Sequence, residues 1–287
     1  MSKFITSLDI AAWVAKATPD KKNFREAVHI ILKAIGKSAA LRSNMVMKGG
    51  MLMALRYESS RFTRDADFST TAIYLEGDEK ELLSELDKQL VLANTETNYD
   101  TMCSIQSSRL MPSGIEKTFP TLAMTIGYAA KSNKKAMERL LARQSPNVVE
   151  IDHCFNEAVL DVDLMELTDG DQLRVYSLTN LLAEKFRSLL QQPVRHRYRR
   201  QDVYDLWLLL VEVRNWTQGE MLSLKECLTA SAASRGINVR HDSMQNAEIK
   251  RMAAKGYEDM RADVEESLPP FDEIYQAVQD FYEKLPW

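Results

Sequence analysis

The chain has 287 residues, of which 45% are hydrophobic and 27% are charged. This is the composition of a soluble globular protein, long enough to bury a core in one large domain or in two of ordinary size. The formal net charge of −4 excludes general attraction to nucleic acid, so any contact with phosphates must come from a local basic patch.

The cysteine pattern and the missing targeting signals bear on where the protein works. Cys103, Cys154 and Cys227 are far apart and form neither a CxxC nor a paired metal motif, so we expect reduced thiols. The N-terminus has no signal-peptide pattern, and no stretch approaches the ~18 apolar residues of a membrane span. The sequence therefore predicts a cytoplasmic protein without membrane association.

The first strong pattern is an apolar stripe between residues 20 and 40. Phe24, Val28 and Ile31 belong to this stripe, which predicts a helix with Asp20 as its N-cap. His29 lies beside the stripe, and we interpret it as a core or edge residue rather than a ligand. Such a helix would cover one face of the sheet that follows.

Residues 45–57 predict a short buried strand, a tight turn and a helix. Met45–Met47 is an apolar run too short for a helix, and Gly49 and Gly50 follow it directly. Residues 51–57 consist of good helix formers without a breaker. Free N–H groups and the positive end of the helix dipole would face the turn, so the pattern favours a phosphate-binding site.

Asp65 and Asp67 come next, flanked by Arg61 and Arg64. On a strand, side chains two residues apart point to the same face, so two carboxylates converge there. A bound Mg²⁺, which prefers hard oxygen ligands, would remove their repulsion and could carry the phosphates of a nucleotide. Together with the Gly-Gly turn, the pair predicts metal-assisted nucleotidyl transfer.

These two motifs resemble a known family. Lys48-Gly49-Gly50 and the run Arg61-Phe62-Thr63-Arg64-Asp65-Ala66-Asp67-Phe68 are similar to the AbiEii/AbiGii-type nucleotidyltransferase toxins, bacterial members of the DNA polymerase β-like nucleotidyltransferase superfamily. The resemblance implies that Asp65 and Asp67 are catalytic and bind metal. It also implies a nucleotide-binding set, which comprises Lys48, Gly49, Gly50, Arg61 and Thr63. Gly-Gly replaces the Gly-Ser of many superfamily members, which is common in this branch.

The middle of the chain predicts a helix and several strands. Residues 78–92 have the pattern of an acidic amphipathic helix. Residues 102–110 and 122–130 predict two antiparallel strands, joined by a turn around Pro112-Ser113-Gly114. Further strands are predicted over residues 148–155 and 160–167.

Two features of this middle part bear on function. Residues 131–146 are basic and predict either a loop with a short helix or an approach surface for nucleic-acid phosphates. In the superfamily a third metal-binding carboxylate comes from a later strand. Asp152 is our candidate for that role and Glu150 the reserve, and the alternative is that both are surface carboxylates on a half-exposed strand.

From about Leu173 onward the chain predicts helices only. Ser177 is a good N-cap, and leucines form an inward stripe on the helix that follows. Lys185 lies within that stripe, where an unpaired ammonium would be costly to bury. Either its stem reaches out to water or it points into a cleft that binds an anion.

A basic loop and a second acidic motif follow. The arginines of the loop are Arg195, Arg197, Arg199 and Arg200, which we predict to bind the acceptor. The alternative is that they only pair with nearby carboxylates. Ala183-Glu184-Lys185 and then Asp202-x-x-Asp205-Leu206, opening a helix to Val213, resemble the second signature of the same family. The resemblance implies catalytic roles, with Lys185 on the triphosphate and Asp202 orienting that lysine or an arginine, or positioning the acceptor. Asp205 is the second candidate, because a helical wheel puts Asp202 nearer the apolar face; both could also be purely structural residues of the first helical turn.

The remaining chain carries less information. Helices are predicted at residues 221–233 and 247–266 with a loop at 235–243 between them. Pro269-Pro270 breaks the chain before a last amphipathic helix, whose aromatic residues we interpret as core.

The sequence therefore predicts an α+β, bi-lobed protein. A mixed-sheet nucleotidyltransferase lobe with helices spans residues 1–172, and an all-helical lobe spans residues 173–287. By resemblance, the protein is a Mg²⁺-dependent toxin, with Mn²⁺ as the alternative metal, that transfers a nucleotide from an NTP to an RNA acceptor. The tRNA 3′ end is the expected acceptor, which would block translation.

Resemblance also implies a cognate antitoxin encoded nearby in a toxin–antitoxin or phage-defence locus. Two alternatives stay open. One is transfer of a nucleotide or phosphate to a protein hydroxyl, and the other is a non-catalytic nucleotide-binding module. The sequence leaves open which NTP is used.

Overall fold

The computed structural model describes residues 7–112, 118–212, 215–264 and 267–287, which form a mixed α/β structure with an eight-stranded sheet. The strands are β1 (Ser7–Leu8), β2 (Val46–Lys48), β3 (Asp65–Ser69), β4 (Thr101–Met111), β5 (Thr121–Ala130), β6 (Val148–Cys154), β7 (Val162–Leu167) and β8 (Gln172–Tyr176). The helices are α1 (Ile10–Ala15), α2 (Pro19–Lys37), α3 (Ala39–Asn44), α4 (Gly49–Arg56), α5 (Asp78–Glu96), α6 (Lys134–Leu141), α7 (Leu178–Leu190), α8 (Gln192–Arg195), α9 (Arg200–Trp207), α10 (Gln218–Ala233), α11 (Ala247–Ala254) and α12 (Phe271–Glu283). A π-helical turn, Leu208–Glu212, continues α9.

The sheet is mixed and has the strand order β1-β7-β8-β2-β3-β6-β5-β4. Its register aligns Lys48 with Asp67, Asp67 with Asp152, Asp152 with Ala123, and Ala123 with Arg109. Directly paired residues project from the same face of a sheet. These five residues therefore form one line across a single face, which we call the central row.

The long helix α2 packs on the sheet and is buried almost without interruption from Phe24 to Gly36. His29 is only 7% exposed, which confirms that it is a core or edge residue. The predicted N-cap at Asp20 is wrong, since Thr18 takes that position and Pro19 opens the helix. Proline suits the first helical position because its missing N–H would lack a partner there anyway.

The predicted change to helices at Leu173 is wrong for residues 173–176. They belong to β8, which pairs with β7 and, through Val175, with Met47 of β2. A β-branched residue paired in the sheet interior outweighs the local helical pattern. Helices do follow from Ser177, whose Oγ caps α7 by accepting from the backbone N–H of Asn180. The division into two lobes and the boundary between residues 172 and 173 stay predictions.

Most other predicted elements are confirmed within a few residues, including the β4–β5 hairpin and α5. Ser113 and Gly114 of the predicted turn, like Val213 at the predicted end of a helix, lie outside the described residues. The predicted helix 247–266 is wrong beyond Ala254, because the chain takes a left-handed turn at Gly256 (φ 71°) and continues as a 3-10 helix, Tyr257–Ala262. Residues 265 and 266 are outside the described ranges.

Two further sequence predictions are consistent with the structure. The aromatic residues Tyr275 and Tyr282 of α12 are buried, so that helix contributes to the core as expected. The three cysteines are free thiols. No helix within the described ranges has the length and apolar character needed to cross a membrane.

Candidate active site

A cavity of about 1010 Å³ opens on the sheet face that carries the central row. The opposite wall comes from α7, the loop after α8 and the start of α9. Among the described residues that line it, nine are Lys or Arg and six are Asp or Glu, so the cavity is basic although the chain is acidic. The predicted site residues in this lining are Lys48, Gly49, Gly50, Arg61, Thr63, Asp65, Asp67, Asp152, Lys185, Arg195, Arg197, Arg199 and Asp202.

The Gly-Gly turn lies directly against the acidic strand. Gly49 has φ +72°, and a Cβ there would stand 2.1 Å from Asp67 Oδ2. A Cβ on Gly50 would lie 3.0 Å from Thr63 Oγ1 and 3.1 Å from Arg61 Nη2. Only glycine permits this approach. α4 begins at Gly49 without a side-chain cap, so its first N–H groups are available for an anion.

The cavity wall formed by the sheet, which we call the sheet wall, contains carboxylates with raised pKa values. Burial, together with Glu184, Asp152 and Asp65, raises the pKa of Asp67 to about 6 in spite of Lys48 nearby. Burial and Asp65 also raise the pKa of Asp152 above its ordinary value. Within the described part of the chain, no salt bridge engages Asp65, Asp67 or Asp152.

This wall fits a hard divalent cation when a nucleotide is present. Among the described residues, no three His, Cys, Asp or Glu side chains are close enough to form a complete metal cage. Mg²⁺ does not need one, because it is usually bound by one or two carboxylates, water and substrate phosphates. Asp65 and Asp67 supply the carboxylates, and burial together with neighbouring carboxylates raises the pKa of Asp67, so a cation bound there would stabilise its ionised form. Asp152 lines the cavity beside them, whereas Glu150 does not.

The opposite wall is held by buried ion pairs around Asp205. The Lys185 Nζ lies 2.6 Å from Asp205 Oδ2 and 3.1 Å from Asp202 Oδ1. Arg61 donates to both Asp205 oxygens, at 3.2 and 3.0 Å. Asp205 is fully buried, and Arg61 and Lys185 hold its pKa below the ordinary value in spite of that burial. Lys185 therefore borders the cavity as a paired cation, and its stem does not reach out to water.

The helical-wheel ranking of the two aspartates is wrong as to burial. Asp205 is the buried one and does not line the cavity, whereas the Asp202 side chain is 15% exposed and does. The wheel counts apolar neighbours and contains no information about Arg61, which comes from a distant part of the chain. Two cations make it acceptable to bury the Asp205 carboxylate.

The loop before β3, which carries Arg61 and Thr63, is also attached to the C-terminal part of the chain. Arg61 forms an antiparallel bridge with Val264, and the Phe62 N–H donates to the Asp263 carbonyl at 2.7 Å. The position of Arg61 therefore depends on backbone pairing as well as on Asp205.

A second ion-pair group includes residues that the sequence interpretation missed. Lys48 Nζ lies 3.0 Å from Glu184 Oε1, which also accepts from Arg187 at 3.1 Å. Lys48 and Arg187 overcome the effect of burial and lower the pKa of Glu184 to about 2. Glu157 binds Arg235 at 2.6 Å. Glu184 stands inside the motif quoted for Lys185, whereas Glu157 and Arg235 lie in irregular segments that carry no sequence signal.

The basic segments divide between the cavity and the outer surface. Arg195, Arg197 and Arg199 line the cavity, but Arg200 packs against Gly256, and Arg200 does not line it. Residues 131–146 are all described, and none of them lines the cavity. They form α6 and its flanks, with Lys134 and Lys135 exposed to solvent.

Comparison with known proteins gives one family match and two similar crystal structures. The family model described as nucleotidyl transferase AbiEii toxin, type IV TA system, matches residues 30–277. Two similar crystal structures are a proposed nucleotidyltransferase from H. pylori and JHP933 from Helicobacter pylori. The first has 16% sequence identity and a TM-score of 0.47, covering 94% of this chain and 100% of the other. The second has 15% identity and a TM-score of 0.46, covering 94% and 96%. No curated protein matches the chain.

Proposed function

Because the chain belongs to the AbiEii nucleotidyltransferase toxin family, we propose that it transfers a nucleotide from an NTP to the 3′ end of tRNA. One observation carries the proposal. The Gly49-Gly50 turn, the Asp65/Asp67 strand and Lys185 come from distant parts of the sequence and border one basic cavity. A site for nucleotidyl transfer needs these groups together, namely N–H donors for phosphate, carboxylates for a metal and a fixed cation.

The proposed roles follow from the contacts. Asp65 and Asp67 hold Mg²⁺, with Mn²⁺ as the alternative, and the ion supplies charge neutralisation and orientation of the phosphates when bound. The N–H groups at the start of α4 and the Thr63 hydroxyl face the leaving pyrophosphate. The oxygen of the acceptor hydroxyl forms the new bond to the α-phosphorus and its proton passes to solvent, while the bond to the pyrophosphate breaks and the pyrophosphate leaves.

The cations of the opposite wall have fixed positions and would stabilise the charge of a bound triphosphate. Lys185 is already oriented by Asp202 and Asp205, so no rotamer freedom is lost when a triphosphate binds. Asp205 does not line the cavity, and it acts by holding Lys185 and Arg61 in place. Asp202 lines the cavity and is available to the acceptor.

The cellular role rests on the family. A type IV toxin–antitoxin family implies a cognate antitoxin, which we propose is encoded nearby in a toxin–antitoxin or phage-defence locus. Nucleotides added to the tRNA 3′ end would prevent aminoacylation and stop translation in the cytoplasm.

One labelling experiment tests the reaction class. The purified protein is incubated with Mg²⁺, total tRNA and each labelled NTP in turn, and RNA and protein are then separated. We expect label on RNA, and a loss of transfer of one to several orders of magnitude in Lys185→Ala. The same variant should also be less stable, because buried Asp205 would lose one of its two cations, so transfer is compared at a temperature at which both proteins are folded. Label on protein would instead support a protein hydroxyl as acceptor, and no label on either would support a non-catalytic module.

A separate experiment tests whether the RNA acceptor contacts the arginines that line the cavity. Replacing both Arg197 and Arg199 by Gln removes two cavity-lining cations, and it should weaken RNA binding while leaving NTP binding unchanged. The slope of log affinity against log salt should fall by roughly one unit for each lost phosphate contact. The matched control replaces Lys134 and Lys135 by Gln, the same charge change outside the cavity. A larger effect of that control pair would place the RNA on α6 instead.

A further inference from the structure

A flat wall closes the cavity beyond the central row. It consists of the Phe119 ring, just before β5, and the Arg235 guanidinium, just after α10, whose Cζ lies 3.3 Å from the ring centroid. Phe119 is the one aromatic side chain among the described residues that line the cavity. Two stacked planar groups facing a nucleotide-sized cavity are the kind of surface on which bases stack.

Arg235 is held in place by a carboxylate. Its Nη2 donates to Glu157 Oε1 at 2.6 Å, and the two side chains are 9% and 11% exposed. Since Glu157 already balances its charge, Arg235 is a weak candidate for a phosphate partner, and its guanidinium instead supports the Phe119 ring from one side. The wall therefore suits a flat, uncharged group.

The strand register orders this wall relative to the reacting centre. β3 begins on the side of Thr63, close to the start of α4, and runs past Asp67 to Ser69. There Ser69 is paired with Cys154, which is in turn paired with Thr121. That level is about 7 Å beyond the central row, and Phe119 lies two residues further along the chain. The phosphate-binding turn and the aromatic wall are thus on opposite sides of the acidic pair.

An NTP has the same order. Its reacting α-phosphorus lies between the pyrophosphate and the nucleoside. With the pyrophosphate at the start of α4 and the α-phosphorus at Asp65 and Asp67, the nucleoside extends toward Phe119. We propose that Phe119 and Arg235 form a nucleobase-stacking site, an inference that rests on the proposed function. The base comes from the NTP or from the terminal nucleotide of the acceptor, and this order along the sheet favours the NTP.

Binding measurements with two ligands distinguish the contribution of the base from that of the phosphates. With Mg²⁺ present, the affinities for each NTP and for inorganic tripolyphosphate are measured on wild type and on Phe119→Leu. Removing the ring should weaken NTP binding by roughly 5- to 150-fold and leave tripolyphosphate binding unchanged. Phe119→Trp should retain NTP binding, and Arg235→Lys, which keeps the charge beside Glu157 but loses the plane, should weaken it.

The control disrupts a similar arginine–aromatic contact outside the cavity. Arg25 lies over the Trp13 ring at 4.6 Å, and neither residue lines the cavity. Trp13→Leu should leave both affinities unchanged. Thermal unfolding of every variant shows whether a loss of binding reflects loss of the fold, and Phe119→Trp keeps the test informative should the leucine variant unfold.

Each outcome has a definite meaning. Weaker NTP binding alone assigns the site to the NTP base. Unchanged NTP binding with a raised KM for the RNA acceptor assigns it to the acceptor base. Equal losses for NTP and tripolyphosphate, or no change in either substrate, would overturn the stacking site while the proposed function survives. Wild type that binds neither NTP nor tripolyphosphate would refute the proposed function and this inference together.

Discussion

The two walls of the cavity contain carboxylates of opposite electrostatic character. On the sheet wall the pKa of Asp67 is raised to about 6. On the opposite wall, which α7 and the start of α9 form and which we call the helical wall, the pKa of Glu184 is lowered to about 2. Both groups are surrounded by protein, so burial alone does not separate them. The difference is the balance of neighbouring charges. Lys48 and Arg187 lower the pKa of Glu184, whereas the effect of Lys48 on Asp67 is opposed by Glu184, Asp152 and Asp65.

This difference in pKa indicates that the two walls have different roles in the site. The helical wall is neutralised within the protein, so its side chains keep fixed positions and contribute to stability. The sheet wall keeps an excess of negative charge that the fold itself does not compensate. Local destabilisation of this kind is typical of residues retained for function. Substitutions on the two walls should therefore have different consequences.

The largest effect is expected on the sheet wall. Asp67→Asn should reduce transfer by about three orders of magnitude or more, because a ligand of the catalytic metal is lost. The same variant should be more stable than wild type at pH 7, by about 1–3 kcal/mol, because repulsion is relieved. Enzyme assays and thermal melts of one preparation measure both.

The sign of this stability gain depends on pH. An acid whose folded pKa is about 6, against an ordinary 3.8, destabilises the fold only when it ionises. The advantage of Asp67→Asn should thus be full above the folded pKa and vanish as the pH falls below the ordinary one. A variant that melts lower than wild type at pH 7 would contradict the unpaired character of the sheet wall.

The next effect concerns the buried ion pairs of the helical wall. Asp205→Asn should destabilise the protein by about 3–5 kcal/mol, because Arg61 and Lys185 would stay buried without their shared carboxylate. Asp202→Asn is the matched control, since its carboxylate is partly exposed and, among the described residues, forms a salt bridge with Lys185 alone. Chemical denaturation should show a clearly larger loss for Asp205. Equal losses would mean that Asp205 is not the centre of the wall.

The smallest effect is a pH dependence opposite to that of Asp67. Glu184 has a folded pKa of about 2 against an ordinary 4.5, so its contribution to stability is present above 4.5 and is lost as the pH falls toward 2. The melting difference between wild type and Glu184→Gln should be constant from neutral pH down to that window and then shrink. A difference that grows on acidification would show that Lys48 does not neutralise Glu184.

The sequence predicts residues that act through local patterns. The Gly49-Gly50 turn and the Asp65/Asp67 strand are each recognisable because their members lie one or two residues apart, and the cavity does bring the two motifs together. The elements around them, such as α5 and the β4–β5 hairpin, carry their own periodicity. Such patterns are short-range and need no knowledge of the fold.

The rest depends on contacts between distant segments. The pair Arg61–Asp205 joins residues 144 positions apart, which is why the helical wheel misranked Asp205. The contact of Arg235 with Phe119 and Glu157 likewise depends on where the fold places the end of α10, a helix that packs against α7. The β8 strand was mistaken for helix because the local pattern does not show its pairing in the sheet, with β7 on one side and with the distant Met47 on the other.

The bridge between Arg61 and Val264 has a consequence for the order of synthesis. The loop that holds Arg61 is made early, but its backbone partner is added about 200 residues later. At common rates of translation that interval is on the order of ten to forty seconds. During this time a nascent chain can have a folded sheet with both aspartates in place and still lack the finished loop beside the phosphate-binding turn. The ribosome has therefore added Val264 before the whole site can exist.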